Sequence, residues 1–484
     1  MKRYRRSTAA LLLPLMLQSC VLYPPYNPPI VETASEWRFG DNTEATIGNI
    51  QWWQKFQDSR LEELVDQALT YNKELKIAIW RVAEFYASLG VISSEMYPQV
   101  FALASASKQE RSLASLVGPA ALAEPMPLTP TIKRITDLFS VSLNLTFELD
   151  LWGRIQSATD AAFADLLAEV QVRKGVVLMV VSAVSIAYFQ LRGSERALAI
   201  SRDTLKSYIE SYKIAKLRFD EGLTAELEVK QAESLIPIAE SLVIEQEIAI
   251  AESQNLISVL VGRFPTDIVY NERTEVWPLP PTVPAGLPAE LLLHRPDILE
   301  AEQRLISANA LIGVARAEYF PRITLTGLFG FESFDLKNLF SSRTRTWAYG
   351  ANVFQPIFTG GRIASSVAEA EAIKCEAYFY YQNVVLNAFK EVENSLIAHR
   401  KAKELASVEK NRVAILKDYH ALAQLQYYNG QSDYLNVLDA ERNLFAAQLD
   451  FTRATSQTYI TLVDIYKSLA GAWVDEADNT ALHN

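Results

Sequence analysis

The fold is decided by two related stretches, Arg81–Val100 (RVAEFYASLGVISSEMYPQV) and Arg304–Ile323 (RLISANALIGVARAEYFPRI), which lie 223 residues apart. Identical residues occupy six equivalent positions, namely Arg81/Arg304, Ala87/Ala310, Gly90/Gly313, Val91/Val314, Glu95/Glu318 and Pro98/Pro321. Farther along the chain the offset becomes 208, where Gly153 matches Gly361 and Gly222 matches Gly430. A repeat of about 200 residues is too long for a solenoid unit, so the sequence predicts a duplicated half-molecule.

Each copy is predicted to run helix, strand, loop, strand, helix, turn and helix. After Pro98 and Pro321 the apolar residues change from helical spacing to alternation. In Ser140–Leu149 every second residue is apolar, and the same period recurs in the second copy. Segments of about ten such residues can cross a membrane as tilted strands, although half-buried strands of a soluble sheet alternate in the same way.

Long helices follow the strands in both copies. No proline interrupts Arg154–Phe219 or its copy Arg362–Tyr428, and each would form a helix of about 100 Å. The next segments carry residues at intervals of seven, mostly apolar, which is typical of a coiled-coil seam. We therefore predict two helical hairpins that turn at Gly222 and Gly430. The charge-free stretch 175–191 is predicted to be a buried helix face rather than a transmembrane helix.

The first 20 residues have the layout of an export signal. Met1–Arg6 is basic, and the apolar run Ala9–Leu17 is too short to span a bilayer. Ser19 followed by Cys20 resembles the lipobox of bacterial lipoproteins, which implies cleavage before Cys20 and its modification with diacylglycerol and an N-acyl chain. By the same resemblance, Val21 implies sorting to the outer membrane. The alternative is an ordinary secretory signal with an incidental cysteine.

Charge and residue usage exclude several classes of protein. The 46 Lys and Arg against 57 Asp and Glu give a net charge of −11, and no basic run follows Arg6, so no nucleic-acid partner is expected. The four histidines are dispersed, and the common catalytic and metal-binding motifs are absent from the sequence. We therefore expect neither an enzyme nor a metal site. Cys375 is predicted to be a packed thiol on a helix.

These patterns divide the chain into six segments. They are the signal peptide (1–19), an extended tether that begins YPPYNPP after Leu22 (20–57), the first repeat (58–262), a proline-rich linker (263–288), the second repeat (289–471) and a C-terminal tail (472–484). The proline-rich start of the tether is typical of polyproline-like chain, which can connect an anchored N-terminus to a folded body.

Several motifs together resemble TolC-type outer membrane efflux lipoproteins. They are YPQV and YFPRI, LWGR and FTGGR, GLPAELLLHRPDI (Gly286–Ile298), YLNVLDAERNLF (Tyr434–Phe445) and LAGAW (Leu469–Trp473), and they extend over essentially the whole mature chain. The resemblance implies a mixed α/β membrane protein with an internal duplication. Three chains would close a twelve-stranded outer-membrane β-barrel, four strands per chain, continued by a long α-helical coiled-coil tunnel through the periplasm. The linker and both termini would form a belt around this tunnel.

The implied function is conduction rather than catalysis. By the resemblance, the homotrimer sits in outer-membrane lipid and receives drugs or other small molecules from a periplasmic adaptor and an inner-membrane transporter of the resistance-nodulation-division type. The channel of a metal-cation efflux system or of a type I secretion system is an alternative. A coiled-coil structural lipoprotein without a channel is an alternative of a different class. The mature chain contains three methionines and no methionine pair, which argues weakly against a dedicated metal path.

The resemblance also assigns roles to residues at the hairpin turns. The tip residues expected to face the adaptor are Gly222, Leu223, Thr224, Gly430, Gln431 and Ser432, although helix capping alone would also explain the glycines. Asp439 matches an acid that lines the narrowest ring of the periplasmic gate, whereas Asn436 replaces the second acid of that gate. Tyr427 and Glu228 match a hydrogen-bonded gate pair. Ser432 stands where the family has an arginine latch, so one lock is expected to be missing.

Overall fold

The structure is a computed structural model that describes residues 21–29, 37–39, 51–110, 112, 135–268, 294–471 and 473–483. The chain divides into two compact units. The strand unit comprises Met1–Pro28, Glu84–Leu166 and Gln303–Tyr378, and the helical unit comprises Pro29–Ala83, Leu167–Glu302 and Phe379–Asn484. Each unit takes residues from both sequence repeats. The signal peptide and linker residues 269–288 lie outside the described residues.

The helices follow one another in the order that the sequence predicts. The α-helices are α1 (Ser59–Tyr71), α2 (Lys73–Ser93), α3 (Arg154–Asp220), α4 (Glu226–Leu260), α5 (Pro296–Ala317), α6 (Arg362–Tyr428), α7 (Tyr434–Leu469) and α8 (Trp473–His483). Both α3 and α6 contain 67 residues, which corresponds to about 100 Å at the rise of an α-helix. The predicted long helices are therefore confirmed, and Pro237 lies inside α4 without ending it.

Four strands form one antiparallel sheet in the strand unit. They are β1 (Gln99–Glu110), β2 (Ile135–Leu149), β3 (Arg322–Ser333) and β4 (Arg345–Phe354), in the order β1-β2-β3-β4. The two hairpins are joined through β2 and β3, where Phe147 is paired with Leu325. Every residue of β1 is exposed within one chain, and so is nearly every residue of β4, including Trp347 and Tyr349. The sheet therefore has two edges and apolar surfaces that a single chain does not cover.

The residues shared by the two repeats form the same ion pair in both copies. Arg154, at the start of α3, contacts Glu95 at 3.2 Å, and its counterpart Arg362, at the start of α6, contacts Glu318 at 2.7 Å. In each copy the pair joins the turn between a helix and the first strand to the start of the long helix that follows the second strand. The repeat in sequence is thus a repeat in structure, and the pair explains why Glu and Arg recur at these positions.

The core of the helical unit combines aromatic rings with the charge-free stretch of α3. The rings of Trp52 and Tyr466 are stacked at 4.9 Å, and Trp473 lies edge-on to Trp52 at 6.1 Å. Val177, Val181 and other apolar residues of the stretch 175–191 are buried in the same cluster. Among the described helices, α3 alone has the length and apolar composition of a membrane span. Its burial in this core confirms the prediction of a packed helix face.

The predicted C-terminal tail contains α8, which is packed against α3 within the helical unit. Asp478 of α8 accepts two hydrogen bonds from the guanidinium group of Arg173, at 2.8 and 2.6 Å, and both side chains are buried. One residue farther along α3, Lys174 contacts Asp475 at 2.7 Å near the surface. The bidentate contact fixes the register of α8 on α3, because an arginine fork matches a carboxylate in only one orientation.

Candidate functional site: the hairpin ends

The turns of the two hairpins have the same backbone geometry. Gly222 and Gly430 have φ values of +70° and +71°, a region that favours glycine. In each turn the glycine N–H and the next N–H donate to carbonyls of the preceding helix, as in a Schellman cap; the acceptors are Phe219 and Arg218 in the first turn and Tyr427 and Gln426 in the second. A Cβ atom at either glycine would meet open space, so backbone conformation alone requires glycine here.

The other predicted tip residues lie on these turns as expected. Leu223 is 70% exposed and Gln431 is exposed, whereas Thr224 and Ser432 are half-buried. The Ser432 hydroxyl accepts a hydrogen bond from the Asn436 amide at 2.7 Å. The exposed Leu223 side chain is an apolar group on a polar turn, and contact with a partner protein would remove it from water. Contact with an adaptor stays a prediction.

A shared apolar cluster holds the lower parts of both hairpins together within the helical unit. It includes residues from all four hairpin helices: Tyr208 and Ala215 of α3, Ala232, Leu235 and Ala239 of α4, Ala423 of α6, and Tyr434, Val437, Leu438 and Ala440 of α7. The alanines allow close approach of the helices, and the tyrosines fill the remaining space. We call this group the hairpin cluster.

Tyr427, the predicted gate tyrosine, is bound by an arginine of the other hairpin. The Arg218 guanidinium donates to the Tyr427 hydroxyl at 2.7 Å and lies 4.9 Å from the centre of its ring. The expected partner, Glu228, acts on the hydroxyl only through its charge. Partial burial raises the pKa of Tyr427, Arg218 lowers it, and Glu228 raises it. Among the described residues, Arg218 is therefore the hydrogen-bond partner of Tyr427, because its guanidinium group donates directly to the hydroxyl oxygen.

Arg218 is a contact of the predicted gate tyrosine that the sequence did not reveal. The sequence contained one signal for this contact. Arg218 lies four positions before Gly222, and Tyr427 lies three positions before Gly430 in the other hairpin. Ser432 stands where the family has an arginine latch, whereas here α3 supplies a guanidinium group to Tyr427. The missing lock at Ser432 stays a prediction, and within the described chain Arg218 joins the two hairpins through Tyr427.

The predicted aperture acid, Asp439, has polar partners within its own helix. Arg442 donates to one carboxylate oxygen at 2.8 Å, and Asn443 donates to the other at 2.9 Å. Asp439 is half-buried and Asn436 is exposed on the same helix, α7. Arg442 reduces the negative field of Asp439, so the field at this level is weaker than an unpaired acid would give.

The HRPDI motif has a structural role in the helical unit. The buried Arg295 side chain donates to both carboxylate oxygens of Asp297, to Glu391 of α6 at 2.8 Å, and to the carbonyl of Ser468 near the end of α7 at 2.8 Å. One guanidinium group thus joins the start of α5 to two other helices. This network gives the arginine and the aspartate of the motif a structural role, and no catalytic or binding role is needed to explain them.

The chain after Cys20 lies on the helices of the strand unit. Cys20 itself lies outside the described residues. Leu22 follows it by two residues and accepts a hydrogen bond from Arg316, six residues before β3 begins. Farther along, Asn309 donates to the carbonyl of Pro24 at 2.8 Å, and Tyr23 donates to Asp160 at 2.9 Å. These contacts place the first described residues beside the helix that leads into the sheet.

Two other sequence predictions concern sulfur and metal chemistry. Cys375 was expected to be packed, but it is exposed on α6, so that prediction was wrong for the isolated chain. The reason is geometric, since Cys375 lies five residues from the buried Ala370 and their directions differ by about 140° around the helix. Within the described ranges, no three His, Cys, Asp or Glu side chains come together as a metal site.

The comparisons with known proteins agree with this architecture. Residues 64–263 and 287–471 match the family of outer membrane efflux proteins. The chain is 33% identical to the solvent efflux pump outer membrane protein SrpC of Pseudomonas putida, covering 95% of this chain and 97% of that protein. It is 31% identical to the outer membrane protein OprJ of Pseudomonas aeruginosa, covering 100% and 99%.

A solved structure is similar to this fold over almost its whole length. The CmeC outer membrane channel of Campylobacter jejuni superposes with a TM-score of 0.87 at 27% identity, and 95% of this chain and 99% of that chain are covered. The predicted fold of four strands per chain with long helical hairpins is thereby confirmed. With the family match extending over both repeats, the chain belongs to the outer membrane efflux proteins.

Proposed function

We propose that this protein is the outer-membrane channel of a tripartite efflux system and exports small molecules without catalysing a reaction. The four-stranded sheet with two open edges carries the proposal. Backbone groups at a sheet edge cannot face lipid unpaired, so β1 and β4 must pair with other chains. Exposed Trp347, Tyr349 and Phe354 on β4 are the residue types found at the membrane interfaces of such barrels.

The closed barrel consists of three chains and twelve strands. Strand β1 of one copy pairs with β4 of the next, and the rotation closes after three copies, as the resemblance to TolC-type proteins implies. The exposed apolar residues of α2, such as Ile77, Trp80 and Tyr86, then face a neighbouring copy instead of water. This arrangement satisfies the backbone of both edges and covers apolar surface that one chain leaves open.

The assembly predicts the mass of the purified protein. In mild detergent we expect a particle of about three times the mass of the mature chain, because an open four-stranded sheet has no stable form in lipid. Light scattering with detergent correction measures this mass, and planar bilayers measure the conductance of the same sample. A stable monomer, or a trimer that produces no conductance steps, would contradict the proposal.

The periplasmic partners bind at the hairpin ends. We infer that an adaptor contacts the exposed turns at Leu223 and Gln431, and that it connects the channel to an inner-membrane transporter of the resistance-nodulation-division type. The efflux pump names of the relatives support a multi-component system. The residues at the turns are polar or small except for Leu223, which provides one apolar anchor in a polar surface.

A lipid anchor on Cys20 fits the path of the N-terminal segment. The contact between Leu22 and Arg316 holds the chain beside the end of α5, close in sequence to the start of β3 at Arg322. A diacylglycerol group two residues earlier would therefore reach the inner leaflet next to the barrel. No other cofactor is proposed.

Cys20→Ser is expected to abolish lipid attachment, because no other residue offers a thiol at the cleavage position. Metabolic labelling with a fatty acid analogue and mass spectrometry of the N-terminal peptide measure the attachment. Cys375→Ser is the matched control and should label like wild type, since Cys375 is exposed on α6 far along the chain. Labelled Cys20→Ser protein would disprove the lipid anchor while leaving the channel proposal intact.

The periplasmic gate lies where the two hairpins of each chain are joined near their turns. We infer that Tyr427 and Arg218 hold the hairpins of one chain together, with Glu228 close enough to act through its charge. Asp439 and Asn436 on α7 are proposed to face the aperture of the trimer. One acid per chain that is partly neutralised by Arg442 would give the aperture a modest preference for cations.

A further inference from the structure

We propose that Glu441 of the VLDAER motif is a proton-sensitive contact, which holds α7 against α3 when its carboxyl group is protonated and releases α7 when that group is ionised. The inference rests on the proposed channel function and adds a regulation of its periplasmic end. Glu441 lies two residues beyond Asp439 in the same motif. The proposed aperture, which Asp439 and Asn436 face, gives Glu441 no role.

Glu441 is a buried acid with one neutral hydrogen-bond partner. Only 6% of its surface is exposed. The Ser207 hydroxyl of α3 donates to Oε1 at 2.6 Å, whereas Oε2 is buried without a hydrogen-bond partner among the described residues. An ionised carboxylate offers about four acceptor sites and is expensive to bury without a cation. A protonated carboxyl group suits this environment better.

Among the residues that the structure describes, no cation is hydrogen-bonded to Glu441. Arg442, the next residue, forms its ion pair with Asp439 instead. On α6, His420 acts on the carboxyl electrostatically, and its Nε2 is buried without a described hydrogen-bond partner. On α4, Glu228 acts on Tyr427 and Tyr434 rather than on Glu441.

Two tyrosines also lie near the carboxyl of Glu441. The phenols of Tyr208 on α3 and Tyr434 on α7 lie within electrostatic range of the carboxyl. Both tyrosines belong to the hairpin cluster, to which α4 contributes Ala232, Leu235 and Ala239. Neutral tyrosines do not compensate a negative charge as a cation would, so ionisation of Glu441 places a charge beside this cluster without a hydrogen-bonded cation.

The contact joins the two hairpins of one chain. Ser207 lies on the first helix of one hairpin, fifteen residues before Gly222, and Glu441 lies on the second helix of the other, eleven residues after Gly430. At the rise of an α-helix these distances place the contact roughly 16–23 Å from the turns. A change in the contact therefore alters how the lower ends of the hairpins pack, close to the proposed periplasmic gate.

The direction of the pH effect follows from burial. Burial raises the pKa of Glu441, while the hydrogen bond from Ser207 and the charge of His420 lower it in part. Separation of α7 from α3 would expose the carboxyl to water and return its pKa towards the ordinary value of about 4.3. Ionisation thus favours the separated hairpins, and protonation favours the packed ones. The balance between packed and separated hairpins should therefore change with pH between the ordinary pKa of a glutamate and the raised pKa of Glu441.

The experiment is single-channel recording of the wild-type trimer in planar bilayers across this range. From neutral pH to about pH 4.5 we expect the open probability to fall, because protonation of Glu441 removes the cost of a buried charge and favours the packed hairpins. Glu441→Gln, a neutral isostere, should stay at the low open probability at every pH. Asp450→Asn, which changes a half-buried acid of α7 that already has two arginine partners, is the matched control and should keep the wild-type response.

Two further variants separate the possible sensors. Ser207→Ala removes a donor that stabilises the ionised carboxylate, so the midpoint of the response should move to higher pH. A response that persists in Glu441→Gln, or that disappears only in His420→Gln, would overturn the proposal. A wild-type channel that conducts equally at all pH values would also overturn it, whereas a protein that forms no channel would contradict the proposed function itself.

Discussion

Replacing Asp478 with alanine should lower the free energy of unfolding by about 3–5 kcal/mol, the cost of removing one partner of a buried ion pair. Only 10% of the Arg173 side chain and 4% of the Asp478 side chain are exposed. Alanine would leave the Arg173 guanidinium buried without either of its two hydrogen bonds to the carboxylate. Denaturant titration followed by tryptophan fluorescence measures the effect, because Trp473 begins the same helix.

The neighbouring ion pair provides the matched control. Lys174 contacts Asp475 at 2.7 Å, but the Asp475 side chain is 60% exposed, so Asp475→Ala should cost less than about 1 kcal/mol. The double variant Arg173→Met with Asp478→Leu should regain most of the lost stability, because apolar side chains of similar size replace both charges. Equal losses from Asp478→Ala and Asp475→Ala would show that α8 is not held by the buried pair.

Most of the fold could be predicted because its signals are long and repeated. The duplicated residues around Pro98 and Pro321 defined the starts of β1 and β3, and the absence of proline defined α3 and α6. The period of two in Ser140–Leu149 matched β2. Such patterns follow from local backbone geometry, so they are visible in a single sequence without knowledge of distant contacts.

The contacts between distant helices could not be predicted in the same way. Tyr427 was identified from its motif, but its partner Arg218 lies 209 residues away on another hairpin. The tail 472–484 gave no sign that Asp478 would be bound by Arg173. Which side of α6 faces outward was also open, and Cys375 proved exposed. Pairings of this kind depend on the register of packed helices, which periodicity alone does not determine.

Opening of the periplasmic end should become easier when the link between the hairpins is removed. Arg218→Met keeps most of the side-chain volume but removes both the hydrogen bond to the Tyr427 hydroxyl and the cation above its ring. A hydrogen bond to a charged group contributes about 1.5–3 kcal/mol, which corresponds to a change of roughly 10–100-fold in the open population. Single-channel recording in planar bilayers should therefore show a higher open probability than wild type.

Tyr427→Phe separates the two parts of this link. The phenyl ring keeps the cation contact, worth about 0.5–1 kcal/mol, but cannot accept the hydrogen bond, so the increase in open probability should be smaller than for Arg218→Met. Combining both changes should add little to Arg218→Met alone, since the two residues act through one contact.

The matched control is Lys216→Met, which removes the same charge from an exposed position two residues earlier on α3. It should behave like wild type, because we expect the channel to open through loss of the contact with Tyr427 and not through loss of positive charge near the turns. If Lys216→Met raised the open probability as much as Arg218→Met, general electrostatics would explain the effect. If neither Arg218→Met nor Tyr427→Phe changed it, the residues that hold the hairpins closed would have to lie elsewhere, for example at the interfaces between chains.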